Sequence, residues 1–152
     1  MLKEFVDNKH CKFAQRAESW QDAIRMSCEV LEADGTVDEN YKEDIVKCVT
    51  EYGPYIVIMP NVAMPHSQEY AEGVHKTSIA FMKLEEPVSF EEGNPDLDAK
   101  LFFTLASCNS EQHLNNMQRL SELMMQEDLM TELLEAKSEE DMLKLWEKYQ
   151  NN

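Results

Sequence analysis

The sequence predicts an α/β protein of three layers, a central sheet flanked by helices on both faces. Two observations carry that prediction. The runs Thr77–Leu84 and Lys100–Ala106 are apolar at nearly consecutive positions, as strands covered on both faces are, and helices must supply the cover. Segments with helical apolar spacing stand before, between and after the strand-like runs, the order of elements that builds such layers.

The elements follow in chain order. Ser19 is an N-cap with Asp22 three residues later, and Trp20, Ala23, Ile24, Ser27, Cys28 and Leu31 recur along one helical face until Gly35 supplies a stop. A second stripe places Val37, Tyr41, Ile45, Cys48 and Tyr52 together and ends at Gly53-Pro54. Tyr55–Met59 is β-branched, brief and bounded by prolines, which predicts the first strand. Between the two longer strands lies an acidic connection from Glu85 to Asp98 with one short strand around Val88 to Phe90; its carboxylate spacing does not fit an EF-hand loop. A helix capped by Asn109 or Ser110 then carries Leu114, Met117, Leu120, Leu123 and Met124. Ser138 with Asp141 caps a last helix bearing Met142, Leu145, Trp146 and Tyr149. Met124, Met125, Met130 and Met142 read as adaptable core filler.

The 152 residues, 43% of them hydrophobic, suit one domain spanning 1–152 with one substantial core. No stretch approaches the roughly 18 uninterrupted apolar residues of a membrane span, and the start lacks the apolar region of a secretory signal, so the protein is expected in the cytoplasm. Cys11, Cys28, Cys48 and Cys108 are widely spaced and read as reduced thiols, with Cys28 and Cys48 on apolar helical faces. A formal charge of −16 argues against nucleic acid and anionic membranes, which would repel it, and accommodates a basic partner.

Chemistry gathers around two histidines. His66 follows the first strand closely, and its approach is stiffened by Pro65. It should therefore sit on a loop at the carboxyl end of a strand, where open α/β sheets place their ligands. His113 stands near the start of the helix after the third long strand. There the helix dipole biases it toward the neutral form, and backbone N–H groups face an anion. Loop ends of neighbouring strands can converge. His10 and His75 read as surface residues, the first in a charged N-terminal segment.

The block Gly53-Pro54-Tyr55-Ile56-Val57-Ile58-Met59-Pro60-Asn61-Val62-Ala63-Met64-Pro65-His66, followed by Gly73-Val74, resembles the active-site block of the fructose/mannitol superfamily of phosphotransferase-system IIA proteins. Pro87-Val88-Ser89-Phe90 resembles the short strand after that loop, and Asn109-Ser110-Glu111-Gln112-His113-Leu114 the start of the second-histidine helix. Within the superfamily the lead-in Tyr52-Gly53-Pro54-Tyr55 and Val62-Ala63-Met64-Pro65-His66 look most like the L-ascorbate branch. The resemblance implies a three-layer sandwich around a central mixed sheet and a relay without cofactor or metal. In that relay the carrier HPr donates a phosphoryl group to Nε2 of His66, His113 steadies the phosphoryl oxygens, a cysteine of a IIB component accepts the group, and a membrane IIC component couples transfer to sugar uptake.

Two departures bear on that expectation. Asn61 stands where relatives often have glycine, and asparagine is the ordinary residue that best tolerates positive φ. Ser67-Gln68 replaces the alanine and arginine usual in the ascorbate branch. A cation for the phosphoryl group is thereby lost, although Ser67 and Gln68 still offer neutral donors; Lys76 and Arg119 read as solvated charges, with compensation from either as the alternative. The missing arginine lends support to an alternative, a regulatory IIA-like protein whose phosphorylation state controls a sensor or transcription factor. A metal-dependent hydrolase built on His66, His113, Glu69 and Glu72 would lack a third convergent ligand. The apolar ground around His66, for example Val62, Met64 and Val74, is either the contact face for partners or part of the buried core.

Overall fold

The computed structural model describes residues 1–67 and 72–150. Its order is α1 (Leu2–Asp7), β1 (Cys11–Ala14), α2 (Trp20–Ala33), α3 (Glu39–Tyr52), β2 (Val57–Met59), β3 (Asn61–Ala63), β4 (Ser78–Ser89), β5 (Asp98–Ala106), α4 (Ser110–Met124), α5 (Glu127–Leu133) and α6 (Glu139–Tyr149). The sheet runs β1-β4-β5-β3-β2. β1 lies parallel to β4 and β3 parallel to β5, while β4–β5 and β2–β3 are antiparallel, so the sheet is mixed.

Strand alternation assigns each side chain to one of two cores. On one face Ala80, Met82, Leu84, Phe102 and Ala106 meet Ile24, Cys28 and Leu31 of α2 and Tyr41, Ile45 and Val49 of α3. On the other, Ile79, Phe81, Leu101, Phe103 and Leu105 meet α1, α4, α5 and α6 through Leu2, Phe5, Leu120, Leu129, Leu133, Met142 and Leu145. The three-layer sandwich is therefore a direct product of strands apolar at nearly consecutive positions.

The expected caps form. Ser19 accepts from the Asp22 amide, Ser138 from Asp141 and Asn109 from Gln112, while Gly53 closes α3 at φ 87°. Several expectations are corrected. Tyr55–Met59 is not one strand: β2 begins at Val57, and Asn61 at φ 73° lets the chain double back into β3, which occupies residues assigned to the approach to His66. The strand around Val88 is the end of β4 beyond a register shift, paired Val88 to Ala99. Met125 is 80% exposed rather than core filler, and Tyr52 and Leu114 also face out, because the helical stripes drift around their axes. Cys48 is half-buried, whereas Cys28 is fully buried and its thiol is pushed up to about 12 by that burial.

His10 is the largest departure. It is 5% exposed, not a surface residue. Its Nε2 lies 2.5 Å from Asp34 Oδ2 and its Nδ1 3.2 Å from Ser78 Oγ. Partial burial works to raise the Asp34 carboxyl, but bonds from Thr36 and His10 prevail and hold it down at about 2. The reason is topological: α1 and β1 fold the N-terminal segment onto β4, where Phe81 N–H donates to the His10 carbonyl at 2.8 Å. His75 does stand at the surface, 3.7 Å from Asp38.

Candidate functional site

Because β3 and β5 are parallel neighbours, their carboxyl ends share one edge of the sheet. His66 follows β3 on that edge, and α4, with His113 in its first turns, follows β5. The loop at His66 is held on both sides: the Met64 N–H donates to Ile56 O at 2.8 Å and the Leu105 N–H to Pro65 O at 2.9 Å. These bonds extend sheet pairing to the residue before the histidine and deprive it of backbone freedom.

His66 Nδ1 lies 2.6 Å from the carbonyl oxygen of Met64. A carbonyl only accepts, so Nδ1 is the protonated nitrogen, and in the neutral ring the lone pair belongs to Nε2. Burial lowers the pKa of His66 below its ordinary value. The Met64 carbonyl opposes that fall, and the charge His113 would carry adds to it. The ring is thus biased toward a neutral imidazole with its lone pair on Nε2, the form of histidine that acts as a nucleophile.

Two tyrosines outside the expected set hold this arrangement. Tyr55 meets the His66 ring edge-on at 5.2 Å between centroids and 86° between planes, and its hydroxyl donates to the His66 carbonyl. Tyr41, buried on α3, donates its hydroxyl to the carbonyl of Leu105 and takes hydrogen bonds from the backbone and side chain of Ser67. Sequence reasoning counted Tyr41 as core and Tyr55 as strand; the available signal was that a buried phenol must find a polar partner. On the opposite side Ser107 Oγ lies 2.6 Å from His113 Nδ1.

Of the expected site residues, the structure therefore brings His66, Ser67 and His113 to one edge, and Gln68 lies outside the described residues. Val62, Met64 and Val74 are 3, 4 and 9% exposed and belong to the cores, not to a contact face. Arg119 is bound to Glu4 near the start of α1, and Lys76 is exposed. Among the described residues no group of three or more His, Cys, Asp or Glu is placed to hold a metal ion. Glu69, one carboxylate of the hydrolase alternative, lies outside them. Nor is any helix among them long and apolar enough to cross a membrane.

Gly73 packs against the start of α3, the helix that carries Tyr41. A Cβ there would stand 2.5 Å from Asp38 Oδ1 and 3.2 Å from the Tyr41 amide nitrogen, at the cap where Asp38 accepts from Asn40. Gly73→Ala should displace the Asp38 carboxylate and cost about 1–2 kcal/mol, the worth of an N-cap. A urea titration will show it as a lower midpoint with an unchanged slope.

A mixed α/β sandwich that presents a half-buried, Nδ1-anchored imidazole at the carboxyl ends of parallel strands, with a second histidine at the start of the next helix, sets the class of protein. Matching along residues 4–149, this chain belongs to the EIIA type 2 family of the phosphoenolpyruvate-dependent sugar phosphotransferase system. It is 32% identical over 141 residues to the ascorbate-specific EIIA component of Shigella boydii, covering 92% of this chain and 90% of that one. The solution structure of the mannitol-specific cryptic enzyme IIA of Escherichia coli superposes with a TM-score of 0.82 at 32% identity, covering 95% of this chain and 96% of that one. The Escherichia coli mannitol IIA in its complex with phosphorylated IIB matches with a TM-score of 0.76 at 25% identity over 90% of this chain and 93% of that one.

Proposed function

We propose that this protein is a cytoplasmic phosphocarrier that accepts a phosphoryl group from phospho-HPr on Nε2 of His66. It passes the group to a cysteine of a IIB component, for uptake of L-ascorbate through a membrane IIC component. The observation that carries the reading is the 2.6 Å contact between His66 Nδ1 and the Met64 carbonyl, which reserves the lone pair for Nε2. In the transfer step that lone pair forms the N–P bond while the bond from phosphorus to the donor breaks, its electron pair leaving with the donor. The Nδ1 proton stays on the ring, facing a carbonyl that stabilises the positive charge the imidazole gains. His113 steadies the phosphoryl oxygens, and the sequence assigns Ser67 and Gln68 to substrate binding as neutral donors. Positioning and charge stabilisation are what phosphoryl transfer demands, and the stiffened loop supplies the first. The charge of −16 favours a basic donor by long-range attraction.

The test is phosphorylation of the purified protein with phosphoenolpyruvate, enzyme I and HPr, followed by addition of IIB. Uptake of one phosphoryl group that IIB then discharges supports the carrier; uptake without discharge to any IIB favours the regulatory reading, which the Gln68 substitution for arginine motivates. The pH profile is a further expected outcome. Only the neutral ring attacks, and burial lowers the pKa of His66. The initial rate should therefore stay level through pH 7 and fall only below about 6.5, where an unperturbed histidine would already be half protonated. Rates between about pH 5 and pH 8 will show it, and a half-point at or above the ordinary value would contradict the burial argument.

A further inference from the structure

The two histidines of the site are held at the same ring atom by partners of opposite chemistry. At His66 the partner of Nδ1 is a backbone carbonyl, which accepts only; at His113 it is the hydroxyl of Ser107, 2.6 Å away, which can also donate. We infer that Ser107 donates its proton to Nδ1 of His113 and so holds that ring as the Nε2–H tautomer, a donor aimed at the phosphoryl group, opposite to the tautomer of His66. The inference rests on the carrier reading above for its functional half.

A neutral imidazole has one N–H, and phosphoryl oxygens only accept, so a histidine that steadies them needs its proton on Nε2 and a donor at Nδ1. A carbonyl at Nδ1 would invert this and present a lone pair to an anion. Ser107 is well placed to prevent that. It begins the turn between β5 and α4, and the turn is fixed from several directions. The Cys108 N–H donates to Thr77 Oγ1 at 3.1 Å, and the Asn109 carbonyl accepts from the His113 N–H at 3.0 Å. The Asn109 side chain caps α4. Both the backbone and the ring of His113 are thus referenced to residues 107–109. Ser107 is a positioning residue that acts through His113.

The experiment combines a tautomer measurement with kinetics. Long-range proton–nitrogen NMR of the 15N-labelled protein should show His113 with Nε2 protonated and Nδ1 bare, and His66 with the reverse. In Ser107→Ala the His113 pattern should become mixed, and phosphoryl transfer from HPr should slow roughly tenfold, as for loss of one hydrogen bond in the transition state, with KM for phospho-HPr unchanged. Ser107→Thr keeps the hydroxyl and should restore both. In a His113→Ala background, Ser107→Ala should slow transfer no further. An Nδ1–H or doubly protonated His113 in the wild-type protein overturns the inference, as does an undiminished effect of Ser107→Ala when His113 is absent. A wild-type protein that accepts no phosphoryl group while showing the stated tautomers would overturn the carrier reading and the phosphoryl-facing role together, leaving only the Ser107–His113 bond.

Discussion

His66→Ala is expected to abolish phosphoryl acceptance and leave the fold intact. The side chain is only half-buried, and among the described residues it makes a hydrogen bond to Met64 and a ring contact to Tyr55. Its removal should therefore cost about 1 kcal/mol of stability. The chemical loss is of another order, because removing a nucleophile takes away the bond-forming atom, and rates fall on the order of 10⁴-fold or more. Intact mass after incubation with phosphoenolpyruvate, enzyme I and HPr should show one phosphoryl group on the native protein and none on the variant. His113→Ala should still accept the group, slowed about 100-fold, as when one preorganised donor is lost. Retained labelling of His66→Ala would place the acceptor elsewhere and end the mechanism proposed for this site.

The largest loss of stability should come from Phe81→Ala. Phe81 sits mid-strand in β4, opposite Phe103 of β5 and Cys11 of β1, and is 1% exposed. Its ring meets those of Phe103, Phe5 and Phe13 at centroid distances of 5.3, 5.9 and 6.0 Å. Truncation would empty the middle of a core that joins the sheet to α1 and leave four elements to collapse around the void. A cost of about 3–5 kcal/mol is expected, against a total for domains of this kind of about 5–15 kcal/mol. The measurement is the urea midpoint at constant slope. A loss below about 1 kcal/mol would mean that α1 is not packed on the sheet as described.

The architecture was legible because its main signals are local. Consecutive apolar residues in 77–84 and 100–106 demanded cover on both faces, and Ser19, Asn109 and Ser138 marked helix starts that the structure reproduces. The edges of the sheet were not legible. β1 exists because Cys11–Ala14 pairs with residues some seventy positions away, from Phe81 to Leu84, and nothing within four residues announces a partner at that distance. The burial of His10 went unread for the same reason. In the site, the positions of His66 and His113 were legible, the first shortly after a strand and the second in the first turn of a helix. The residues that hold them could not. Tyr41 reaches the loop from a helix on one face of the sheet and Ser107 reaches His113 from a turn, and those meetings depend on how layers stack rather than on spacing along one element. The choice between contact face and core was open on the same point: Val62 and Met64 alternate with Ala63, and both sides of β3 are buried.

The outermost strand, β2, has a bearing on how this protein behaves in concentrated solution. It is three residues long, leaves Ile58 and Met59 partly exposed, and stands at one end of the strand order. Such a margin invites a second copy to add its own strand, and brevity with Pro60 immediately beyond is one defence. Mutual repulsion between molecules of charge −16 is the other. That second defence reaches only about 10 Å at 0.1 M salt and shrinks to about 3 Å at 1 M. Colloidal stability should therefore depend on ionic strength, with dilute buffers keeping molecules apart and concentrated salt leaving the strand margin as the point where self-association starts.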